Sequence, residues 1–376
     1  MKLNRFTLLA IAICAIMALP LTVCADSSAD SLRAVLSVPV IEFKAVPEYN
    51  QVQTDSLVRL GKEANDWRRA AADHAQANRL FLKAAENGSM EGLRQLAQNT
   101  INGLGTEADV EAGLRMLMQG VGAGDVESML ALGDCLNPNH SGRAGLEGFQ
   151  NTELAAWAFR LAGSKGNAEG YAEAAAMFNH INRFASTEAE KALSEIKCIS
   201  YAELGQAMGS GECSEILAGF YQRNGGKTQD EINSLLIDAA EKGDPSAMLT
   251  LAYRYAKGEN GFREDKDQAR RWFIKWQSTT IPDPMFMYEA LSEGNYGLAK
   301  DKRAAADWLI AGVENGNNLG NLYCRQLAEI YRQGSHGLPR DPAKAQYYED
   351  LAKNWPTQPS QLLYGVDFCG QSNSLR

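Results

Sequence analysis

The stretch Gly243–Gln277, GDPSAMLTLAYRYAKGENGFREDKDQARRWFIKWQ, predicts two antiparallel helices joined by a short loop. It opens with Gly-Asp-Pro, a turn that leads into a helix N-terminus. Ala247, Leu251 and Tyr255 then fall at helical spacing on one face. Two glycines end this first helix, and Asp265 begins a second helix with an apolar face of its own.

The same plan recurs along the chain. A large residue stands eight positions before a terminal glycine, as Leu80 does before Gly88 and Leu235 before Gly243. Repeats begin near residues 54, 88, 124, 167, 209, 243, 281 and 316. One position of the first helix holds a leucine followed by a small residue: Leu60-Gly61, Leu96-Ala97, Leu132-Gly133, Leu217-Ala218, Leu251-Ala252 and Leu327-Ala328. Because a single helix pair cannot bury its apolar stripe, this periodicity predicts stacked pairs, an all-α solenoid.

The run Leu327–Gly334, followed by Gly337–Ala345, resembles the Sel1-like repeat, which is of the tetratricopeptide type. The resemblance covers about residues 54–353 and is weakest over 167–243. It implies a right-handed α-solenoid superhelix of about eight Sel1-like helix pairs. It also implies a non-catalytic scaffold for protein–protein interaction.

The N-terminus has the layout of a secretory signal peptide over residues 1–25. Lys2 and Arg5 precede an apolar stretch that is too short to span a bilayer, and cleavage is expected near Ala25. We therefore expect a periplasmic or secreted protein without a transmembrane segment. A lipid anchor at Cys24 is the alternative, but Val23 departs from the small residue that normally precedes a lipidated cysteine. Residues 26–53 are expected to be extended and residues 354–376 to form a C-terminal tail.

The formal net charge is −9, and loss of the signal peptide would remove two basic residues. An acidic protein repels phosphate backbones, which disfavours nucleic acid and favours a partner with a basic surface. Five cysteines follow the signal peptide. The predicted pairs are Cys198 with Cys213, across a turn, and Cys324 with Cys369, which would tie down the tail. The alternative is that all five are small buried apolar residues.

The sequence offers no catalytic constellation, and we expect neither a metal nor a cofactor. The run Asn224–Thr228 has the Gly-Lys-Thr of a phosphate loop, but Tyr221 stands where that motif needs glycine. The four histidines, His74, His140, His180 and His336, have no second ligand at metal-binding spacing. Acidic pairs such as Asp265 and Asp267 stand at predicted helix starts, where they favour the helix dipole.

Counting two positions before and after each leucine predicts which side chains face the inner, partner-binding wall of the solenoid. Residues one helical turn after these positions, Gln222 and Arg332, are added to the set. The predicted protein-binding residues are Arg94, Gln98, Leu130, Asp134, Glu215, Gln222, Leu249, Tyr253, Arg325, Glu329 and Arg332.

Three functions remain open at this point. Among exported proteins that resemble Sel1-repeat chains, one recurring role is immunity to a secreted antibacterial effector, often a periplasmic phospholipase. An adaptor in envelope assembly or stress signalling is the alternative. A cell-wall hydrolase is the third, and no motif supports it.

Overall fold

The computed structural model describes residues 27–66, 72–139, 145–316 and 319–355, and within these ranges the chain is helical with no β-strand. Helix α1 (Ser27–Leu36) precedes eight helix pairs. The pairs are α2 (Gln51–Asn65) with α3 (His74–Glu86), α4 (Met90–Asn102) with α5 (Val110–Gly122), α6 (Val126–Leu136) with α7 (Thr152–Ser164), α8 (Ala168–Phe184) with α9 (Glu188–Ala207), α10 (Gly211–Asn224) with α11 (Gln229–Glu241), α12 (Pro245–Lys257) with α13 (Lys266–Thr279), α14 (Pro284–Glu293) with α15 (Lys302–Glu314), and α16 (Gly320–Gln333) with α17 (Pro342–Lys353). The predicted all-α solenoid is confirmed. Of the helices described, none is both long and apolar enough to cross a membrane.

Side-chain caps determine where these helices begin. Asp244 accepts a hydrogen bond from the Ala247 amide, and Pro245 occupies the first turn of α12. Asp265 caps α13 in the same way. Each such cap stabilises its helix by about 1 kcal/mol. Gly258 ends α12 with a φ of 67°, a left-handed conformation that glycine adopts without steric cost. The helix starts predicted from the Gly243–Gln277 stretch are therefore confirmed.

Glycines in the first helices make room for aromatic rings of the second helices. A Cβ atom on Gly61 would lie 2.5 Å from the Phe81 ring, and one on Gly133 would lie 2.6 Å from the Phe159 ring. Both rings are buried, with exposures of 0% and 1%. Because interiors are close-packed, there is no space for a side chain at either glycine. The small residue after the leucine therefore lets the two helices of a pair approach closely.

The chain forms two compact units, with the boundary between Met208 and Gly209. The first unit contains α1–α9, and each helix from α2 onward packs on the next. The second unit contains α10–α17, where α13 and α14 meet through the rings of Trp276 and Phe286, 5.1 Å apart. The last pair of the first unit has the longest helices described, α8 with 17 residues and α9 with 20. The region where the repeat signature is weakest, 167–243, thus includes the end of the first unit and the start of the second.

Polar side chains bond the first, fifth and sixth pairs to the loop of the following pair. Asn78 of α3 donates to the Leu104 carbonyl at 2.7 Å, and Asn233 of α11 donates to the Asn260 carbonyl at 2.8 Å. Both asparagines stand five residues after the N-cap of their helix. Arg270 makes the same kind of contact from α13 to the following loop. These bonds satisfy loop carbonyls and fix the stacking register, because a one-turn slip would break them.

The prediction that residues 26–53 are extended is wrong for α1. This helix packs on α5 and α7, both second helices, and Arg33 lies 4.1 Å from the ring centroid of Trp157. Leu36 is fully buried. A short segment rich in β-branched residues nearby favoured an extended structure, but burial of one apolar face on the solenoid stabilises the helix.

Residues 37–50, here called the N-terminal strap, are non-helical as predicted. The Gln119 side chain of α5 accepts from the amides of Val40 and Ile41 and donates to the Ile41 carbonyl at 2.6 Å. The Lys44 amide donates to the Glu86 carbonyl at the end of α3. The strap is therefore bonded to second helices of the first and second pairs.

Several predicted features lie outside the described residues. They are the signal peptide over residues 1–25, Cys24, His140, Cys369 and the tail from residue 356 onward. They stay predictions. Just before that tail, Trp355 packs against the first turn of α16, where a Cβ on Gly320 would lie 2.0 Å from its ring.

Candidate binding surface

The first helices of the pairs carry the predicted binding residues. We call their solvent-facing side within each unit the first-helix face. Two register positions on it, two residues before and two residues after the leucine, recur from pair to pair. Because solenoid repeats stack in register, equivalent positions on successive first helices form rows.

In the first unit, packing takes up much of this face. Leu130 is 3% exposed, so its prediction as a binding residue is wrong. Arg94 forms an ion pair with Asp125, the N-cap of the next first helix, and both side chains are largely buried, at 15% and 17% exposure. Asp125 also accepts from the amide of Ser128 at 2.9 Å. Arg94 thus joins two repeats and leaves little of its guanidinium to a partner. Gln98 and Asp134 are partly buried.

In the second unit, more of the face stays in contact with solvent. Tyr253 is 44% exposed on α12, and Leu249, one turn earlier, is partly buried. Gly219 occupies the position of Tyr253 on the preceding first helix. A Cβ atom there would meet only the ends of the Arg223 and Glu215 side chains, at 3.4 and 3.9 Å. A side chain at Gly219 would therefore fit without a backbone clash.

Gln222 belongs to a polar network rather than standing alone. It is exposed, exchanges hydrogen bonds with Gln229, and accepts from Arg254 at 3.1 Å. Arg254 is 9% exposed and also donates to Asn233 at 3.0 Å. Burial lowers the pKa of this guanidinium. The network links the first helices α10 and α12, so Gln222 has a structural role in addition to its exposure.

The last pair presents a charged surface. Arg325 is exposed on α16 at the register position that Arg94 occupies on α4. Arg332 forms ion pairs with Glu329 on its own helix and with Glu349 on α17. Exposed pairs of this kind contribute at most about 1 kcal/mol to stability. They can therefore exchange partners at low free-energy cost when another protein binds.

Carboxylates on the first-helix faces lie in surroundings that disfavour their charge. Burial raises the pKa of Glu215, the Asp244 carboxylate raises it further, and Arg223 opposes this. Burial also raises the pKa of Asp244. In the first unit, burial and the nearby Glu127 raise the pKa of Glu169. Partial burial is thus the main reason that the charged form of these carboxylates is disfavoured, and a nearby cation would favour that form.

Two residues of this surface escaped the count from the leucine. The seventh pair has Met287-Tyr288 at the position where six pairs have leucine and a small residue. Binding positions could therefore not be counted from a leucine in this pair. Counting five residues back from the helix-ending glycine gives Glu289 in this pair, as it gives Tyr253 before Gly258. Burial raises the pKa of Tyr296, from the loop after α14, and the charges of Tyr253 and Glu289 raise it further. The glycine spacing would have found Glu289, but no local signal marks Tyr296.

The four cysteines within the described residues, Cys135, Cys198, Cys213 and Cys324, are all buried. Cys213 has a free thiol in the core of the second unit, so the predicted bridge to Cys198 of the first unit is not formed. Burial raises the pKa of Cys213 to about 11, which suppresses the reactive thiolate. Cys324 is fully buried and, because Cys369 lies outside the described residues, their pairing stays a prediction.

Within the described ranges, no group of three or more His, Cys, Asp or Glu residues is placed to hold a metal ion. His336 has a structural environment: its Nδ1 lies 3.0 Å from the Ser335 hydroxyl and its Nε2 3.3 Å from the Tyr288 hydroxyl. Gln326 donates to the same tyrosine hydroxyl at 2.7 Å. These contacts join the loop of the last pair to the preceding first helix.

The family model of the Sel1 repeat matches residues 55–89, 245–276, 289–317 and 322–348. The chain contains Sel1 repeats. The matched Sel1 repeats correspond to the first helix pair and to the last three, and the pairs between them have the same helix order. Sel1 repeats generally mediate protein binding and form non-catalytic scaffolds.

Three solved structures are similar to this Sel1-repeat chain at low sequence identity. The Sel1 repeat protein from Oxalobacter formigenes has a TM-score of 0.44 and 17% identity, over 60% of this chain and 88% of that one. The protein c5321, a protective antigen of uropathogenic Escherichia coli with an SLR fold, has a TM-score of 0.41 and 20% identity, over 81% and 70%. Immunity protein Pa5087 from Pseudomonas aeruginosa has a TM-score of 0.38 and 15% identity, over 64% and 88%. No curated protein matches the chain.

Proposed function

We propose that this chain is an exported, non-catalytic binding protein whose first-helix face in the second unit captures a protein with a basic surface. One observation carries the proposal. Two first helices of this unit, α12 and α16, keep Tyr253 and Arg325 exposed. In the first unit, the predicted binding residues at the register position of Arg325 are the buried Leu130 and the paired Arg94. Those at the register position of Tyr253, Gln98 and Asp134, are partly buried. Tyrosine and arginine are among the residues that dominate interface energetics.

Electrostatics support a basic partner. The chain has a net charge of −9, and burial raises the pKa values of both Glu215 and Asp244. The Asp244 carboxylate raises the pKa of Glu215 further. A lysine or arginine brought to this surface would stabilise both carboxylates in their charged form. Complementary charge of this kind speeds association and selects partners.

Within this function, we propose immunity to a secreted antibacterial effector, such as a phospholipase acting in the periplasm. The signal-peptide layout of residues 1–25, the acidic charge and the lack of a catalytic motif in the sequence support this role. An inhibitor needs a preformed surface and no chemistry, which stacked helix pairs provide.

The test is co-expression of the full-length chain with the toxic product of a neighbouring gene, followed by co-purification and growth measurement. We expect a stable complex and restored growth. Tyr253→Ala should weaken capture about tenfold or more, the loss typical of an interface anchor. Tyr347→Ala is the matched control, because Tyr347 is 61% exposed on the second helix α17.

Complex formation without protection would exclude immunity and leave the binding function. A purified partner from envelope assembly or stress signalling would then assign the adaptor role. Equal loss of capture with Tyr253→Ala and Tyr347→Ala would contradict the placement of the binding surface on the first helices.

A further inference from the structure

We infer that the guanidinium of Arg254 is a binding site for a carboxylate, which enters by displacing the Gln222 side chain. The site lies in the second unit, in the polar network that joins α10, α11 and α12. The inference goes beyond the proposed function, because it concerns an anion and does not depend on which protein the chain captures.

Arg254 is a buried cation without a carboxylate partner. It is 9% exposed, and among the described residues it is the one lysine or arginine that is buried. Its hydrogen bonds go to amide oxygens: Nη1 donates to Asn233 Oδ1 at 3.0 Å and Nη2 donates to Gln222 Oε1 at 3.1 Å. It forms no ion pair with a described carboxylate. Burial lowers the pKa of the guanidinium, and the charge of the exposed Glu259 opposes this only in part.

Two other largely buried cations of the described chain show the contrast. Arg94 is 15% exposed and pairs with Asp125, and Lys197 is 19% exposed and pairs with Glu153 at 2.6 Å. Burying a charge is unfavourable unless an opposite charge compensates it, and a guanidinium stays protonated in proteins. The positive charge of Arg254 is therefore one that an anion from outside the chain would compensate.

The Gln222 amide occupies the position that a carboxylate would take. Its Oε1 accepts from Arg254 Nη2 and from Gln229 Nε2, at 3.1 Å in both cases. A carboxylate oxygen carries a negative charge that an amide oxygen lacks, so both donors would bond to it more strongly. Gln222 is exposed, so its side chain can turn into solvent and release the two donors.

Asn233 keeps the donors in place when Gln222 leaves. Its Oδ1 accepts from Arg254 and from Gln229, at 3.0 Å each, and its Nδ2 donates to the Asn260 carbonyl at 2.8 Å. Asn233 is 8% exposed, and none of these bonds involves Gln222. Two N–H donors would therefore still face the position of the displaced amide. Donors that are already in place lose little freedom when a ligand binds.

The test uses the full chain with ¹⁵N-labelled arginine, followed by NMR, with the Arg254 guanidinium resonance assigned by Arg254→Lys. Sodium formate is the probe, with sodium chloride as the balancing salt, and formamide is the neutral control ligand. We expect formate to shift the Arg254 resonance in a saturable way. Its affinity should be about tenfold or more above that of formamide, the gain typical of a hydrogen bond between charged groups.

Gln222→Glu is the decisive variant, because it places a carboxylate of the chain itself where we expect the ligand. It should abolish the formate shift and stabilise the chain in urea unfolding. Gln222→Ala should bind formate more tightly than the unaltered chain, because no amide has to be displaced. Gln98→Glu is the matched control: Gln98 is a partly buried first-helix glutamine of the first unit, and this change should leave formate binding as it is.

Two capped peptides, acetyl-Gly-Glu-Gly-amide and acetyl-Gly-Gln-Gly-amide, distinguish the sources of the carboxylate. A shift with the glutamate peptide alone of the two supports a protein side chain as the ligand, and a shift with formate but neither peptide supports a small free carboxylate. No shift with formate, equal affinities for formate and formamide, or a formate shift that survives Gln222→Glu would each overturn the inference. None of these results changes the expected effect of Tyr253→Ala on capture, so the proposed function stands or fails separately.

Discussion

Arg94 and Arg325 offer a direct comparison of one residue type at one register position in two environments. Both stand two residues before the leucine of a first helix. Arg94 is 15% exposed and paired with Asp125, whereas Arg325 is exposed. We predict that Arg94→Met destabilises the first unit and that Arg325→Met has almost no effect on stability. Methionine retains most of the apolar stem, so the comparison isolates the guanidinium.

The expected magnitude follows from burial. A surface ion pair contributes about 0–1 kcal/mol, and breaking a fully buried pair costs about 3–5 kcal/mol. The Arg94–Asp125 pair lies between these limits. Asp125 keeps its hydrogen bonds from the Ser128 amide at 2.9 Å and hydroxyl at 2.6 Å, so its carboxylate is not left without a donor. We therefore expect Arg94→Met to reduce the free energy of unfolding by about 1–3 kcal/mol. The Arg325→Met change should stay within about 0.5 kcal/mol.

Urea unfolding followed by circular dichroism gives the free energy, and hydrogen exchange assigns the loss to the first unit. A double-mutant cycle with Asp125→Asn, which retains a cap acceptor, isolates the coupling between the two side chains. A coupling energy near zero, or equal destabilisation by Arg94→Met and Arg325→Met, would refute this reasoning. Either result would mean that burial does not make Arg94 a stabilising link between two repeats.

Three further predictions test the packing, the strap and the pH dependence. Gly133→Ala should cost about 1–3 kcal/mol in urea unfolding because its Cβ would lie 2.6 Å from the Phe159 ring, whereas Gly219→Ala, with its nearest neighbour 3.4 Å away, should be neutral or stabilising. Gln119→Ala removes three hydrogen bonds to the N-terminal strap and should speed amide exchange at Val40 and Ile41 about fivefold or more, and unchanged exchange would contradict the bonding described. Burial and Lys302 lower the pKa of His336 from its ordinary 6.5, so the folded state favours the neutral ring, and stability should fall as the pH drops below about 6.5. His336→Asn should remove that part of the pH dependence, measured by urea unfolding at two pH values.

The helix pairs themselves follow from local sequence. Asp244 and Asp265 begin helices because a carboxylate accepts from free backbone amides, and Gly258 ends one because it alone enters the left-handed region at no steric cost. The apolar period within each segment then determines which side of the helix is buried. These are interactions within a few residues of one another, so the local sequence is enough to predict the helix pairs. Their stacking is predicted by the repeat, because a single pair cannot bury its apolar stripe.

Burial at a given register position depends instead on the neighbouring helices. Leu130 and Leu249 stand at equivalent positions, yet the first is buried and the second is partly exposed. Arg94 was predicted to bind a partner, but the N-cap of the next repeat lies within its reach. Tyr296 packs on Phe273 and Phe286 from a loop, where no periodicity applies. The sequence by itself therefore determined the elements and the family. Only the tertiary structure decided which side chains at equivalent register positions stay exposed to solvent and to a partner. Their burial depends on contacts between residues far apart in the chain.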